Sequence, residues 1–159
     1  MFGLFKSPPF HDPKLGELVR SRGLWRGSLT AEAGVTTPLT LSGTRTEPHP
    51  QALAAAREVA QAFASWQPAI EQALFEHYEP YAEAVTAGEV LSPGGAVIHI
   101  AAPSDVRSHV SLVFVSVTPL GGSLTTELGY TTAWDDEHTL GARFQSGQFI
   151  ELCGSVLTP

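Results

Sequence analysis

A single cysteine, Cys153, stands in the whole sequence. One thiol closes no internal disulfide, so nothing ties the chain to an oxidising compartment. Basic residues are also few. Nine Lys and Arg face sixteen Asp and Glu, and the formal net charge is −7. The cations are scattered, with only Lys6 and Lys14 as lysines. An acidic chain without a basic cluster has no counterion-release term to bind nucleic acid, and it is repelled by anionic membranes. A basic protein or a cationic ligand fits the charge as a partner. Long apolar runs are missing too. The longest, around Val110 to Val117, is far short of a membrane span. The opening MFGLFKSPPFHDP is broken by Pro8 and Pro9 and lacks the apolar region of a signal peptide. A cytoplasmic protein is expected.

Charged residues make up 16% and hydrophobic residues 43%, a balance that suits a folded globule. The 159 residues suit one domain, 1–159, with residues 1–14 as an irregular N-terminal arm held out of helix by its prolines. KLGELVRSR, residues 14–22, reads as a short helical turn. Leu24–Thr30 and Thr37–Ser42 read as two strands joined at Gly34. From Pro50 strong helix formers take over. Leu53, Ala56, Ala60 and Phe63 recur at helical spacing, and so do Ile70, Leu74, Tyr78, Tyr81 and Val85. Pro68 and Pro80 divide this block, residues 50–87, into two or three pieces.

Strand patterns follow at Ala96–Ala101 and His109–Thr118. The clearest alternation in the chain runs from Leu124 to Trp134. It should pair with the 109–118 segment and place Leu128 and Tyr130 in the core. Leu140–Phe144 and Gln148–Cys153 flank a hairpin signal, QSG. The pattern predicts an α+β fold: an antiparallel sheet of about six to seven strands with the helical block packed on one face.

Chemistry concentrates in WDDEHTLG, residues 134–141. Asp, Glu and His bind divalent metals and move protons near neutral pH. Asp135 and His138 have the spacing of one helical turn, and a site built on Asp135, Glu137 and His138 would need ligands from elsewhere, with His77, His99 and His109 as the candidates. His99 and His109 would face each other if their strands were neighbours. The same residues also suit a polar turn capped by Asp135 or a contact for a partner. Other signals point away from catalysis. Cys153 has no base beside it in FIELCGS, Ser155 lacks a nucleophile elbow, and the GG pairs at 94–95 and 121–122 lack the lysine of a phosphate loop. No cofactor and no complete metal set is expected.

The tail WDDEHTLGARFQSGQFIELCGS resembles a signature of uncharacterised bacterial proteins, W-D-E-E-H-T-L-G followed by an E-L-C-G-S-like strand. HDPKLGELVRSRGLWRG is similar to the start of the same proteins. The resemblance extends loosely to domains found near bacterial toxin and immunity genes. It marks Trp134, Asp135, Glu137 and His138, and Asp136 stands where Glu would be expected. It implies no reaction.

The expectation is a non-catalytic protein-binding module, immunity-like or regulatory, working through Trp134, Asp135, Asp136, Glu137 and His138 on a basic partner. Glu71, Glu76, Glu79, Glu83 and Glu89 would add a solvent-facing acidic row on the helix. The alternatives are a metal-dependent hydrolase using the Asp135/Glu137/His138 turn and an accessory protein acting as a homodimer.

Overall fold

A computed structural model describes residues 6–159. The elements are β1 (Phe10–Asp12), β2 (Gly16–Ser21), β3 (Leu24–Leu29), β4 (Thr37–Leu41), α1 (Pro50–Thr86), β5 (Val110–Leu120), β6 (Ser123–Thr132), β7 (Thr139–Gln145) and β8 (Gln148–Val156). Short 3-10 turns lie at Pro93–Gly95 and Pro103–His109. The strands form one eight-stranded sheet in chain order. All neighbours are antiparallel except β4 and β5. That pair is parallel because α1 and the segment after it carry the chain back between them, as a crossover must. The fold is α+β, with one long helix packed against the sheet. No helix among the described residues is long and apolar enough to cross a membrane.

The extra strands come from the N-terminal segment. Residues 1–5 of the expected irregular arm lie outside the described residues. Residues 10–12 are not irregular: they form β1, paired with Gly16–Leu18 of β2. Pro13 sits in the turn between them, where its missing N–H costs no ladder bond. Oδ1 of Asp12 accepts the amides of Lys14 and Leu15, each at 2.9 Å, and fixes that turn. The expected helical turn at 14–22 is strand β2 instead. Its helix-forming residues are overridden by pairing on both sides and by Leu18, which is fully buried. Arg22 and Gly23 both have positive φ and close the β2–β3 hairpin in the manner of a primed turn.

The helical block is one helix, not two or three pieces. Pro68 and Pro80 lie inside it on the exposed side. Each removes the amide that would reach the carbonyl four residues earlier, on Ala64 and Glu76. Those residues are exposed as well, so water can satisfy the freed carbonyls. The opposite side carries Leu53, Val59, Phe63, Ile70 and Leu74 into a core shared with Val115, Val117, Leu128, Tyr130 and Leu140. Burial of each such side chain stabilises by about 2 kcal/mol. β6 pairs with β5 along its whole length, and Leu128 and Tyr130 are buried, as its alternation predicts. Residues 96–101 form no strand. Their backbone is tied instead to the Tyr78 hydroxyl, which donates to the Ile98 carbonyl at 3.0 Å and accepts the Ile100 amide at 3.2 Å. His99 and His109 therefore do not face each other across neighbouring strands.

Two buried carboxylates are matched by arginines distant in sequence. Glu71 was expected in the solvent-facing row, and it is buried and pairs with Arg107. Glu76, Glu79, Glu83 and Glu89 are exposed as expected. Asp12, whose side chain is fully buried, pairs with Arg57. The Arg57 hydrogen bond holds the Asp12 carboxyl at about 2, against the opposing effect of burial. The folded state thus releases this proton more readily than the unfolded chain, whose aspartate titrates near 3.9. The stabilisation is complete above about pH 4 and is lost as pH falls through 2, and it is on the order of 2 kcal/mol. Asp12→Asn should flatten the acid side of a stability–pH profile over that window. An unchanged acid slope in the variant would show that the pair does not carry it.

Candidate functional site

The alternating face of β6 leads straight into the site. Thr132 and Trp134 continue the inward positions of Leu128 and Tyr130, and the chain then turns through residues 135–138 into β7. Trp134 is 4% exposed. Its indole N–H donates to Nδ1 of His77 on α1 at 3.1 Å, and its ring meets Tyr78 edge-on at 5.5 Å. A buried indole N–H needs such a partner. His77 must accept at Nδ1, so its neutral ring carries the proton on Nε2. Burial, which pulls the His77 imidazole below its ordinary range, favours that neutral form.

Asp135 organises the turn. It is buried, and its Oδ1 accepts the amides of Glu137 at 3.1 Å and His138 at 3.2 Å. Tyr81 on α1 donates its hydroxyl to Oδ2 at 2.9 Å. Nδ1 of His138 lies 3.0–3.1 Å from both oxygens. Burial pushes the Asp135 carboxyl up, but hydrogen bonds from Tyr81, His138 and the Glu137 amide outweigh it and hold the group below the usual carboxylate range. An ionised carboxylate only accepts, so Nδ1 of His138 bears a proton. Burial, and then the Asp135 contact, push the Tyr81 phenol up.

The turn thus divides its acids by role. Asp135 points inward and is spent on hydrogen bonds. Asp136 and Glu137 are exposed, and among the described residues neither joins an ion pair. They border a groove of about 420 Å³ between the turn, the C-terminal half of α1 and the segment that follows it, with Tyr81, Leu91, Pro93 and Trp134 as its apolar wall. Val90 is 47% exposed, Leu91 95% and Val97 89%. Val90 and Leu91 line this groove, and Val97 lines the cavity beside it.

Of the remote histidines, His77 is brought to the cluster. Asp135, Glu137 and His138 are not assembled as a metal site. Both oxygens of Asp135 are taken, Nδ1 of His138 faces Asp135, and Nδ1 of His77 accepts the indole N–H. Among the described residues no group of three or more His, Cys, Asp or Glu side chains is placed to hold a metal ion. The hydrolase built on these three residues loses its donor set for that reason. Tyr81 is the site residue that sequence reasoning missed. Its signal was present: in FEHYEPY, His77 and Tyr81 stand four apart and share a helix face.

A model of a domain of unknown function, DUF6985, matches residues 15–156. The chain belongs to the DUF6985 family. The matched span runs from just before β2 to the end of β8, so both halves of the site, the α1 tyrosine and histidine and the 134–138 turn, lie inside the DUF6985 region. No curated protein and no solved structure matches the chain.

Proposed function

We propose that this DUF6985 chain is a protein-binding module that takes a basic segment of another protein into the groove beside the 134–138 turn. One observation carries the reading: Asp136 and Glu137 stand exposed and unpaired on the rim of a groove whose wall is apolar. Asp135 supports the same reading from below. By capping the turn it fixes the direction of the two outward acids before any partner arrives, which reduces the ordering cost of binding. The net charge of −7 adds a long-range attraction for a cationic partner. An immunity-like or regulatory role in the cytoplasm is the form this reading takes when joined to the resemblance of the WDDEHTLG signature.

The test is capture of partners from the native host, followed by binding kinetics at low and high salt. Asp136→Lys together with Glu137→Lys should slow association about tenfold at low salt and reduce its salt dependence. The melting temperature should hold, because neither side chain is buried. Unchanged association by the doubly reversed protein would overturn the reading. So would recovery of no partner together with turnover of a small molecule by the purified chain.

A further inference from the structure

Beside the acid-rimmed groove lies a second cavity of about 150 Å³, between the end of α1 and the segment 90–99. Tyr78, Tyr81, Val85, Ile98 and Trp134 line it, with Leu91 at its mouth. We infer that this slot receives a phenyl-sized apolar side chain, so that the segment recognised is an aromatic residue flanked by lysine or arginine. The inference rests on the basic-segment reading and specifies its ligand.

Size is the first ground. A volume of about 150 Å³ is enough for a benzene ring, and apart from Thr86, Ser92 and His99 the lining is apolar or aromatic. Chemistry is the second. Two tyrosines and a tryptophan line the slot, and an aromatic side chain packs against such rings better than its area alone would give. Rigidity is the third. Trp134 is held by His77, and Tyr78 is held by the backbone of Ile98 and Ile100, so the floor is formed before binding. Position is the fourth. The slot and the groove share Tyr81, Val90, Leu91, Pro93 and Trp134 as a common wall. A ring seated in the slot therefore leaves the neighbouring residues of its own chain over Asp136 and Glu137, where cations are favoured and anions repelled. Leu91 and Val97, almost fully exposed in the free chain, gain an apolar cover.

The experiment titrates the full chain with three capped peptides, Lys-Lys-Phe-Lys-Lys, Lys-Lys-Ala-Lys-Lys and Glu-Glu-Phe-Glu-Glu, by calorimetry and by NMR shifts of the Trp134 indole. The phenylalanine peptide with lysines should bind about tenfold more tightly than its alanine counterpart, the gain from burying one ring, and it alone should shift the indole strongly. The glutamate peptide should bind most weakly. Ala82→Leu fills the slot from a helix position on its wall, and should remove the phenylalanine advantage while the salt-dependent binding of the alanine peptide persists. Equal affinity of the two lysine peptides for the unmodified chain, with both weakened by Asp136→Lys and Glu137→Lys, would overturn the slot and leave the basic-segment reading standing. Failure of both lysine peptides to bind, or binding of the glutamate peptide as tight as that of the lysine–phenylalanine peptide, would overturn both. The peptide comparison on the unmodified chain decides the matter even if Ala82→Leu perturbs folding, which its melting curve reports.

Discussion

Gly129→Ala should lower stability by about 3 kcal/mol, seen as a fall in melting temperature of roughly 10 °C for a chain of this size. Replacing a glycine in a strand by alanine ordinarily stabilises slightly, by reducing the freedom of the unfolded chain. The backbone of Gly129 does not lie in the positive-φ region, so alanine meets no conformational objection there. The obstacle is Phe114. It lies directly across from Gly129 in the β5–β6 pair, next to a register shift between Leu112 and Phe114, and its ring covers the glycine. A Cβ at position 129 would overlap three carbons of that ring. Phe114 is 1% exposed and has no free space to swing into. Overpacking therefore decides the sign. Phe114→Leu should recover part of the loss. The double variant should be less unstable than the sum of the two single changes by more than about 1 kcal/mol, because the two sites touch. Simple additivity in urea melts would show that the ring is not what the new methyl meets.

Local signals carried much of the architecture. The β6 alternation was readable because one of its faces packs on α1 and the other does not, so period two survived in the residues. The β7–β8 hairpin was readable because Ser146 and Gly147 both adopt positive φ, which the QSG stretch announces. What escaped depends on partners remote in sequence. β2 has helix-forming residues and becomes a strand only because β1 and β3 flank it. The parallel pairing of β4 with β5 joins residues on either side of α1, and no local pattern records it. Glu71 looked solvent-facing because Arg107, which neutralises it, lies 36 positions away. Pro68 and Pro80 do not break α1, since the cost of proline is moderated where the freed carbonyl faces water. The site followed the same division. WDDEH was visible as a stretch of residues, and its two roles, one acid turned in and two turned out, were not. That split is made by Tyr81, 54 positions earlier in the chain, whose hydroxyl meets Asp135.

Asp135→Ala should be the most damaging change at the site, costing about 3 kcal/mol and disordering residues 135–138. The carboxylate accepts two backbone amides, the Tyr81 hydroxyl and the His138 ring. Each hydrogen bond contributes about 1 kcal/mol, and groups left unpaired in a buried setting cost more. Asp135→Asn separates geometry from charge. Its side-chain oxygen can still accept the Glu137 and His138 amides, so the turn should persist with a smaller loss. The charge, however, is gone. The folded carboxyl of Asp135 titrates below its ordinary value, so its contribution is present above the unfolded pKa and is lost as pH falls through the folded one. The asparagine variant should therefore lack this part of the acid-dependent loss of stability. Binding supplies the second readout. Asp135 is 6% exposed and its oxygens are taken within the turn, so Asp135→Asn should keep the affinity for the lysine–phenylalanine peptide within about threefold, whereas Asp135→Ala should weaken it more than tenfold by releasing Asp136 and Glu137 from their fixed directions. An alanine variant that binds as tightly as the unmodified chain would mean that the outward acids need no cap, and the role of Asp135 in ordering the groove would fall.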